Sequence, residues 1–87
     1  MVREGTEDEM RDALAALVPP SRKDYGNLRY ELYADRAEPR RFVIVERWTD
    51  EAAHVKHDKE SDHIRHFTQH YGDKIAKVDV YRLKSIG

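Results

Sequence analysis

The chain has 87 residues, of which 16 are basic and 17 acidic, so its formal net charge is only −1. This length holds a single domain, residues 1–87, and the balanced charge offers no basic field for nucleic acid. Without a cysteine, an apolar run of membrane-spanning length or a visible signal peptide, the sequence excludes disulfides and a transmembrane helix and favours a cytoplasmic protein.

The first predicted element is an amphipathic helix that begins at Thr6. Thr6 and Glu9 have the spacing of a capping box, and the acidic first turn suits the positive end of the helix dipole. Pro19 and Pro20 are predicted to end this helix. Apolar side chains recur at helical spacing between these limits: Met10, Ala13, Leu14, Leu17 and Val18.

Two strands joined by a hairpin loop are predicted next. The first, Leu28–Tyr33, alternates between apolar and polar side chains. The loop contains Asp35 and Pro39, and the return strand is Arg41–Trp48. Because this second strand is largely apolar on both faces, it is typical of a sheet that is covered on both sides.

The C-terminal half is predicted to contain a broken helix and a last strand. Helical sequence begins at Asp50 and is interrupted near Ser61, where Ser61 or Asp62 can cap a second helix. Gly72 ends that helix. The segment Lys77–Lys84 alternates weakly and is predicted to be a strand.

This order of elements predicts an α+β, ferredoxin-like fold. A strand before the first helix would complete the order βαββαβ, an antiparallel sheet with two helices on one face. Only Met1–Gly5 precede Thr6, whereas strands usually run 5–6 residues, so a truncated first strand is expected. Since a domain this small buries only about 60–65% of its unfolded surface, we expect a homodimer that covers the free sheet face.

Three motifs in this order resemble the antibiotic biosynthesis monooxygenase (ABM) family of dimeric α/β barrels. They are G-x-x-x-Y-E-L in Gly26–Leu32, F-V-x-x-E-x-W-x-D-x-x-A-x-x-x-H in Phe42–His57, and S-x-H in Ser61–His63. The resemblance implies a dimeric barrel with a pocket between sheet and helices in each subunit. Its members include cofactor-free oxygenases of phenols and quinols, haem-degrading enzymes and proteins without known activity, so the resemblance constrains the chemistry poorly.

The haem-degrading branch of the family is not expected here. The resemblance implies for that branch an Asn on the first strand, a Trp in the second helical region and a His below it. In this chain the first strand is nearly absent, His57 stands at the position of the Trp, and His66 lies only near the ligand position. We therefore expect no cofactor.

His57 is the candidate catalytic residue, because the resemblance places a pocket histidine at this position. An imidazole with a pKa near neutrality can deprotonate a phenol or quinol, whose anion then reduces O₂. The alternative is a histidine that packs or hydrogen-bonds at the pocket rim. His63 is a second candidate in the pocket, and its alternative role is a contact at the helix cap.

Three strand residues complete the candidate substrate-binding set. Glu46 shares a strand face with apolar residues, so its carboxylate must be paired or carry a raised pKa. It could orient His57 or accept a substrate proton, or it could simply pair with Arg29 or Arg82. Trp48 and Tyr30 would form apolar walls with polar tips, although aromatic strand residues are more often part of the core.

All five histidines lie in the second helical region, which raises the question of a metal. His66 and His70 are spaced i, i+4 and share a helix face, as in some zinc sites. Neither has a carboxylate at obvious ligand spacing, so these side chains are interpreted as solvated and no metal is expected.

Two functions remain in competition. The first is a cofactor-independent monooxygenase acting on a small aromatic, phenolic or quinol substrate. The second is a non-catalytic, ligand-binding or stress-associated dimer on the same barrel, which the nearly missing first strand and the lack of a clear acid–base pair favour.

Overall fold

A two-stranded antiparallel sheet and a layer of helices make up the computed structural model, which describes residues 1–87. The helices are α1 (Glu7–Ala15), α2 (Val18–Arg22), α3 (Glu51–Glu60) and α4 (Asp62–Tyr71). The strands are β1 (Asn27–Ala34) and β2 (Phe42–Trp48). A short 3₁₀ helix, Gly72–Lys74, follows α4. None of the helices is long and apolar enough to cross a membrane.

The strand register places the candidate site residues on the same face of the sheet. Tyr30 lies opposite Glu46, and Leu32 lies opposite Ile44. The register shifts between Asn27 and Arg29, which is a β-bulge at the start of β1. Both predicted strands are confirmed, each within one residue at either end.

The core lies between this sheet face and the helices. Met10, Leu14 and Leu17 are buried together with Val2 and Phe67. Partly buried side chains from the sheet and from α4 pack against them, among them Leu32, Phe42, Ile44 and Ile64. The predicted apolar stripe is therefore confirmed for Met10, Ala13 and Leu14 of α1 and for Leu17 just beyond it, whereas Val18 does not join the core.

The first helix begins as predicted, with Thr6 as its N-cap residue, but the predicted capping box and C-terminal end are wrong. Thr6 makes no capping bond to the helix; its hydroxyl donates instead to the carbonyl of Arg3 at 2.6 Å. Glu9 pairs with Lys74, so no capping box forms. Helix α1 already ends at Ala15. Pro19 and Pro20 lie in the first turn of α2, where backbone N–H groups have no partner within the helix, so proline costs no hydrogen bond there.

The N-terminal residues occupy the place of the first strand. The N–H of Val2 donates to the carbonyl of Arg40, just before β2, at 2.8 Å. On the other side, Val2 forms an antiparallel bridge with Ile75. The segment Met1–Arg3 is thus hydrogen-bonded both to the start of β2 and to the C-terminal segment, as a central first strand would be.

The predicted last strand, Lys77–Lys84, is not a strand in the structure. The last backbone hydrogen bonds between the C-terminal segment and the N-terminus are those that the N–H groups of Ala76 and Lys77 donate to the carbonyl of Met1. Residues 78–87 make no backbone hydrogen bonds and are all exposed. A weakly alternating segment has little tendency to form a strand unless a neighbouring strand supplies hydrogen bonds, and none does so here.

Candidate functional site

His57 lies at the centre of the candidate site, and α3 places it there. The helix begins at Asp50, whose carboxylate accepts a hydrogen bond from the N–H of Ala53 at 2.8 Å, an N-cap. Residues four apart share one helix face, so Ala53 and His57 are both buried on the inner side of α3. His57 is only 3% exposed.

A carboxylate that the sequence analysis did not consider holds one edge of this ring. Asp24 lies in the loop between α2 and β1, and its Oδ2 is 2.6 Å from Nδ1 of His57. The hydroxyl of Ser61 donates to the same oxygen at 2.7 Å. Burial works in the opposite direction, but the hydrogen bonds from His57 and Ser61 hold the pKa of Asp24 below its ordinary value.

His63 joins the same group from α4. Ser61 adopts an extended backbone between α3 and α4, and its side chain does not cap α4. Because the chain turns at this point, the first turn of α4 brings Nε2 of His63 to 3.1 Å from the hydroxyl of Ser21 and 3.5 Å from Oδ2 of Asp24. The contact predicted for His63 at a helix cap is absent, and the side chain is a polar member of the cluster.

The second ring nitrogen of His57 faces the sheet. Nε2 is 3.8 Å from Oε1 of Glu46, which is beyond hydrogen-bonding distance. The same oxygen lies 3.3 Å from Nε1 of Trp48 and 3.9 Å from Nε2 of His54. The His57 ring therefore lies between two carboxylates, in contact with Asp24 and separated by a gap from Glu46.

The arginine partners predicted for Glu46 are wrong. Arg29 pairs with Glu31 on the opposite face of the sheet, and Arg82 pairs with Glu51 at 3.1 Å. A β-strand points alternate residues to opposite faces, which separates Arg29 from Glu46. Glu46 accepts a hydrogen bond from the indole N–H of Trp48 instead, and the imidazoles of His54 and His57 lie 3.9 and 3.8 Å from its Oε1.

Tyr30 and Trp48 form the aromatic surroundings of His57. The ring of Tyr30 meets the imidazole edge-on at 5.6 Å, and the ring of Trp48 lies 4.7 Å from it. Trp48 also stacks on His54 at 5.7 Å. Burial, together with the negative charge of Glu46, raises the pKa of Tyr30 to about 12, so this phenol stays neutral and can act only as a hydrogen-bonding group near pH 7.

A cavity of about 180 Å³ opens beside the Asp24–His57 pair. Its volume is comparable to that of an enclosed apolar cavity that holds benzene, but this cavity is open on one side and lined mainly by polar side chains. A depression of about 350 Å³ runs along β1 but includes no imidazole. The smaller cavity is lined by Asp24, Tyr25, Ala53, Lys56, His57, Glu60 and Ser61.

The same cluster contains three side chains of types that bind metal ions. One ligand atom each from Asp24, His57 and His63 lies within 4.8 Å of the other two. The pair weighed from the sequence, His66 and His70, is exposed, with ring centroids 4.0 Å apart. Nδ1 of His70 already donates to the carbonyl of His66 at 2.9 Å, which leaves that pair fewer free nitrogens.

The sequence analysis missed Asp24, Ser21 and Ser61 as members of the site. Asp24 is 33 residues before His57, and nothing in its spacing connects the two. Ser61 was interpreted as a helix cap, an interpretation that local sequence favours. Only the folded structure, in which the loop after α2 packs against α3, shows that these residues lie in the site.

Comparisons with known proteins agree with this geometry at the level of the fold. The family model "Antibiotic biosynthesis monooxygenase" matches residues 1–70. The Bacillus subtilis (strain 168) protein named "Putative monooxygenase YcnE" is 34% identical over 76 residues, covering 86% of this chain and 79% of that protein.

Two solved structures extend the comparison. The crystal structure of PA3566 from Pseudomonas aeruginosa superposes with a TM-score of 0.84 at 31% identity, covering 95% of this chain and 86% of that one. A crystal structure described as an antibiotic biosynthesis monooxygenase has a TM-score of 0.88 at 22% identity, covering all of this chain and 92% of the other. The second likeness concerns the fold alone, and both support the ferredoxin-like prediction.

Proposed function

The chain belongs to the antibiotic biosynthesis monooxygenase family, and we propose that it oxygenates a small phenolic or quinol substrate without a cofactor, with His57 as the base. The observation that carries this proposal is the contact of 2.6 Å between Nδ1 of His57 and Oδ2 of Asp24. A carboxylate at one nitrogen fixes the tautomer and orientation of an imidazole and leaves the other nitrogen to accept a proton.

The free nitrogen, Nε2, is the proposed proton acceptor. A substrate hydroxyl about 2.8 Å from both Nε2 and Oε1 of Glu46 would lie to one side of the line between them, since these two atoms are only 3.8 Å apart. Asp24, whose pKa is held below its ordinary value by His57 and Ser61 against the effect of burial, stays ionised near pH 7. It therefore stabilises the imidazolium that forms when the proton is transferred.

The chemistry that follows needs no external reductant. The phenolate supplies electrons to O₂, one oxygen atom bonds to a ring carbon, and the second leaves as water. For a phenol oxidised to a quinone the balance is phenol plus O₂ giving quinone plus water, so the substrate supplies all four electrons. Tyr30 and Trp48 would exclude water on the sheet side of the imidazole, as a reactive intermediate requires.

Oxygen uptake with a panel of quinols and polyketide-type phenols tests this function. We expect His57→Gln to lower kcat at least about 100-fold, within the range that general bases contribute. Asp24→Asn should lower kcat while leaving KM nearly unchanged, because it removes the orientation of the base. His66→Gln, a change in an exposed histidine of α4, is the matched control and should leave the rate unchanged.

Two results would count against a base at His57. One is the absence of oxygen uptake with every substrate in the panel. The other is uptake that His57→Gln leaves intact, since a base that can be removed without effect is not the base.

One observation favours ligand binding without turnover as a second function. The 180 Å³ cavity is lined by Asp24 and Ser61 but by neither Glu46 nor Trp48. A ligand there would contact the Asp24–His57 pair but not Glu46, the carboxylate that faces the free nitrogen. An aromatic ligand that raises the melting temperature without oxygen uptake would favour this function, and measured turnover would exclude it as the sole one.

A further inference from the structure

We propose that Asp24, His57 and His63 form a binding site for one divalent first-row transition-metal ion of the zinc class. These residues come from three separate segments: the loop before β1, the middle of α3 and the first turn of α4. Their ligand atoms nevertheless converge to within 4.8 Å of one another. The ion would replace the contact between Nδ1 of His57 and Oδ2 of Asp24 on which the proposed base depends, so the metal-bound and cofactor-free forms of this site are alternatives.

The donor set matches the chemistry of zinc-class ions. Two imidazole nitrogens and one carboxylate oxygen suit zinc, iron(II) or cobalt(II), whereas magnesium and calcium prefer oxygen donors alone. Three protein ligands leave at least one position open for water or a substrate, as in catalytic metal sites.

One of the three distances between ligand atoms already matches coordination, and the other two differ from it by at most about 1.4 Å. Ligand atoms about 2.1 Å from a tetrahedral ion lie about 3.4 Å from each other. Oδ2 of Asp24 and Nε2 of His63 are already 3.5 Å apart. Asp24 and Nδ1 of His57 are 2.6 Å apart, so they would separate by about 0.8 Å when the ion replaces the shared proton.

The surroundings supply the supporting contacts that metal-bound histidines usually have. With Nδ1 on the metal, Nε2 of His57 carries its hydrogen on the side of Glu46, whose Oε1 is 3.8 Å away. An approach of about 0.8 Å would complete the carboxylate–histidine–metal triad that such sites use. The hydroxyl of Ser61 already donates to Oδ2 of Asp24 at 2.7 Å and fixes the orientation of that ligand.

The cluster is also accessible from one side. The side chains of Asp24 and His63 are 24% and 20% exposed, whereas that of His57 is 2% exposed. Asp24 and His57 line the 180 Å³ cavity, which provides an entry path and room for a water ligand. A site with two partly exposed ligands and one buried ligand can bind an ion without unfolding.

Titration of the metal-stripped full chain with Co²⁺ and Zn²⁺ tests the proposal. We expect one ion per chain at micromolar concentration, with the visible absorption of nitrogen-ligated cobalt, displacement of cobalt by Zn²⁺ and no displacement by Mg²⁺. Asp24→Asn and His63→Gln should each weaken binding more than about 100-fold, and Glu46→Gln about 10–100-fold, the range for a supporting carboxylate.

The exposed pair on α4 provides the matched control. The double variant His66→Gln, His70→Gln should bind cobalt as the unmodified chain does. Loss of binding in that variant, retained binding in His63→Gln, or no cobalt spectrum at all would each overturn the proposal. If Asp24→Asn fails to fold, as judged by circular dichroism, His63→Gln decides the question because this side chain lies at the edge of the cluster.

Discussion

One oxygen atom of Asp24 connects three other side chains of the candidate site. Oδ2 accepts from Nδ1 of His57 and from the hydroxyl of Ser61, and it lies 3.5 Å from Nε2 of His63. Hydrogen bonds to a charged group are worth about 1.5–3 kcal/mol each. The negative charge of Asp24 therefore holds the loop before β1 against both α3 and α4.

The pH dependence of stability should show this charge. The pKa of Asp24 is held below its ordinary value by His57 and Ser61, although burial acts in the opposite direction. A carboxyl group whose pKa falls on folding stabilises the native state above its unfolded pKa, and this contribution is lost as the pH falls through the folded pKa.

We therefore expect Asp24→Asn to lower the free energy of unfolding by about 2–3 kcal/mol at pH 7, and this difference should shrink as the pH falls below the ordinary range of an aspartate. Urea unfolding of both proteins between pH 7 and pH 3 measures the effect. A difference that stays constant over this range would show that the charge of Asp24 is not the stabilising feature.

The turn that precedes β1 packs closely against the start of α3. Gly26 has a positive φ of 79°, and a Cβ atom built on it would lie 2.5 Å from Cβ of Ala53 and 2.7 Å from Oγ1 of Thr49. The N–H of Thr49 also donates to the carbonyl of Gly26 at 2.8 Å. This close approach positions α3, and with it His57, next to the loop that contains Asp24.

Gly26→Ala should therefore be clearly destabilising, and Gly5→Ala is its matched control. Gly5 also has a positive φ, of 87°, but a Cβ atom there meets nothing within 4 Å. At Gly5 we expect Ala to lower the free energy of unfolding by about 1 kcal/mol, from the backbone alone. At Gly26 the clash of the new Cβ atom should add about 1–3 kcal/mol to that loss. Thermal and urea unfolding of both variants measure this, and equal losses would show that the contact with α3 is not strained.

The elements differ in how far sequence alone could predict them. Periodicity identified the apolar face of α1 and both strands, because burial of one face leaves a regular pattern. It could not show that Thr6 bonds to Arg3 instead of capping, since both uses suit the same residue. Nor could it connect Asp24 with His57, because the contact depends on the approach of Gly26 to α3.

The family resemblance pointed to His57 and the strand pattern to Tyr30 and Trp48, and the three side chains lie together in the structure. The resemblance did not point to Asp24 or Ser21, and it included Ser61 in a motif without assigning this residue a role in the pocket. The strand predicted at Lys77–Lys84 failed for another reason: strand formation depends on a partner that local sequence does not specify.

At the scale of the whole molecule, one face of the sheet is left without a covering layer. Tyr33 and Val43, paired across β1 and β2, are 46% and 45% exposed, and Val45 lies beside them on the same face. Apolar side chains of the C-terminal segment are also exposed, among them Val80 at 71%. A two-stranded sheet with an open and partly apolar face is marginal by itself, so we propose that a second copy of the chain covers it.

Light scattering after gel filtration tests this assembly. We expect a mass twice the chain mass of 10.3 kDa. Val43→Glu should shift the mass toward a single chain, because it places a charge in the proposed interface. Val55→Glu, at a 38% exposed position on α3, should leave the mass unchanged. A single-chain mass for the folded, unmodified protein would contradict the dimer.

The exposed segment beyond Lys77 makes it possible to study dimer formation separately from catalysis. Tyr81 and Leu83 are 78% and 88% exposed in a stretch without backbone hydrogen bonds, so a chymotrypsin-like protease can reach them when no partner protects them. Every residue of the proposed site lies between Ser21 and His63. Proteolytic removal of this segment would therefore leave all residues of the site in one continuous polypeptide. The rate of cleavage would report the fraction of monomer.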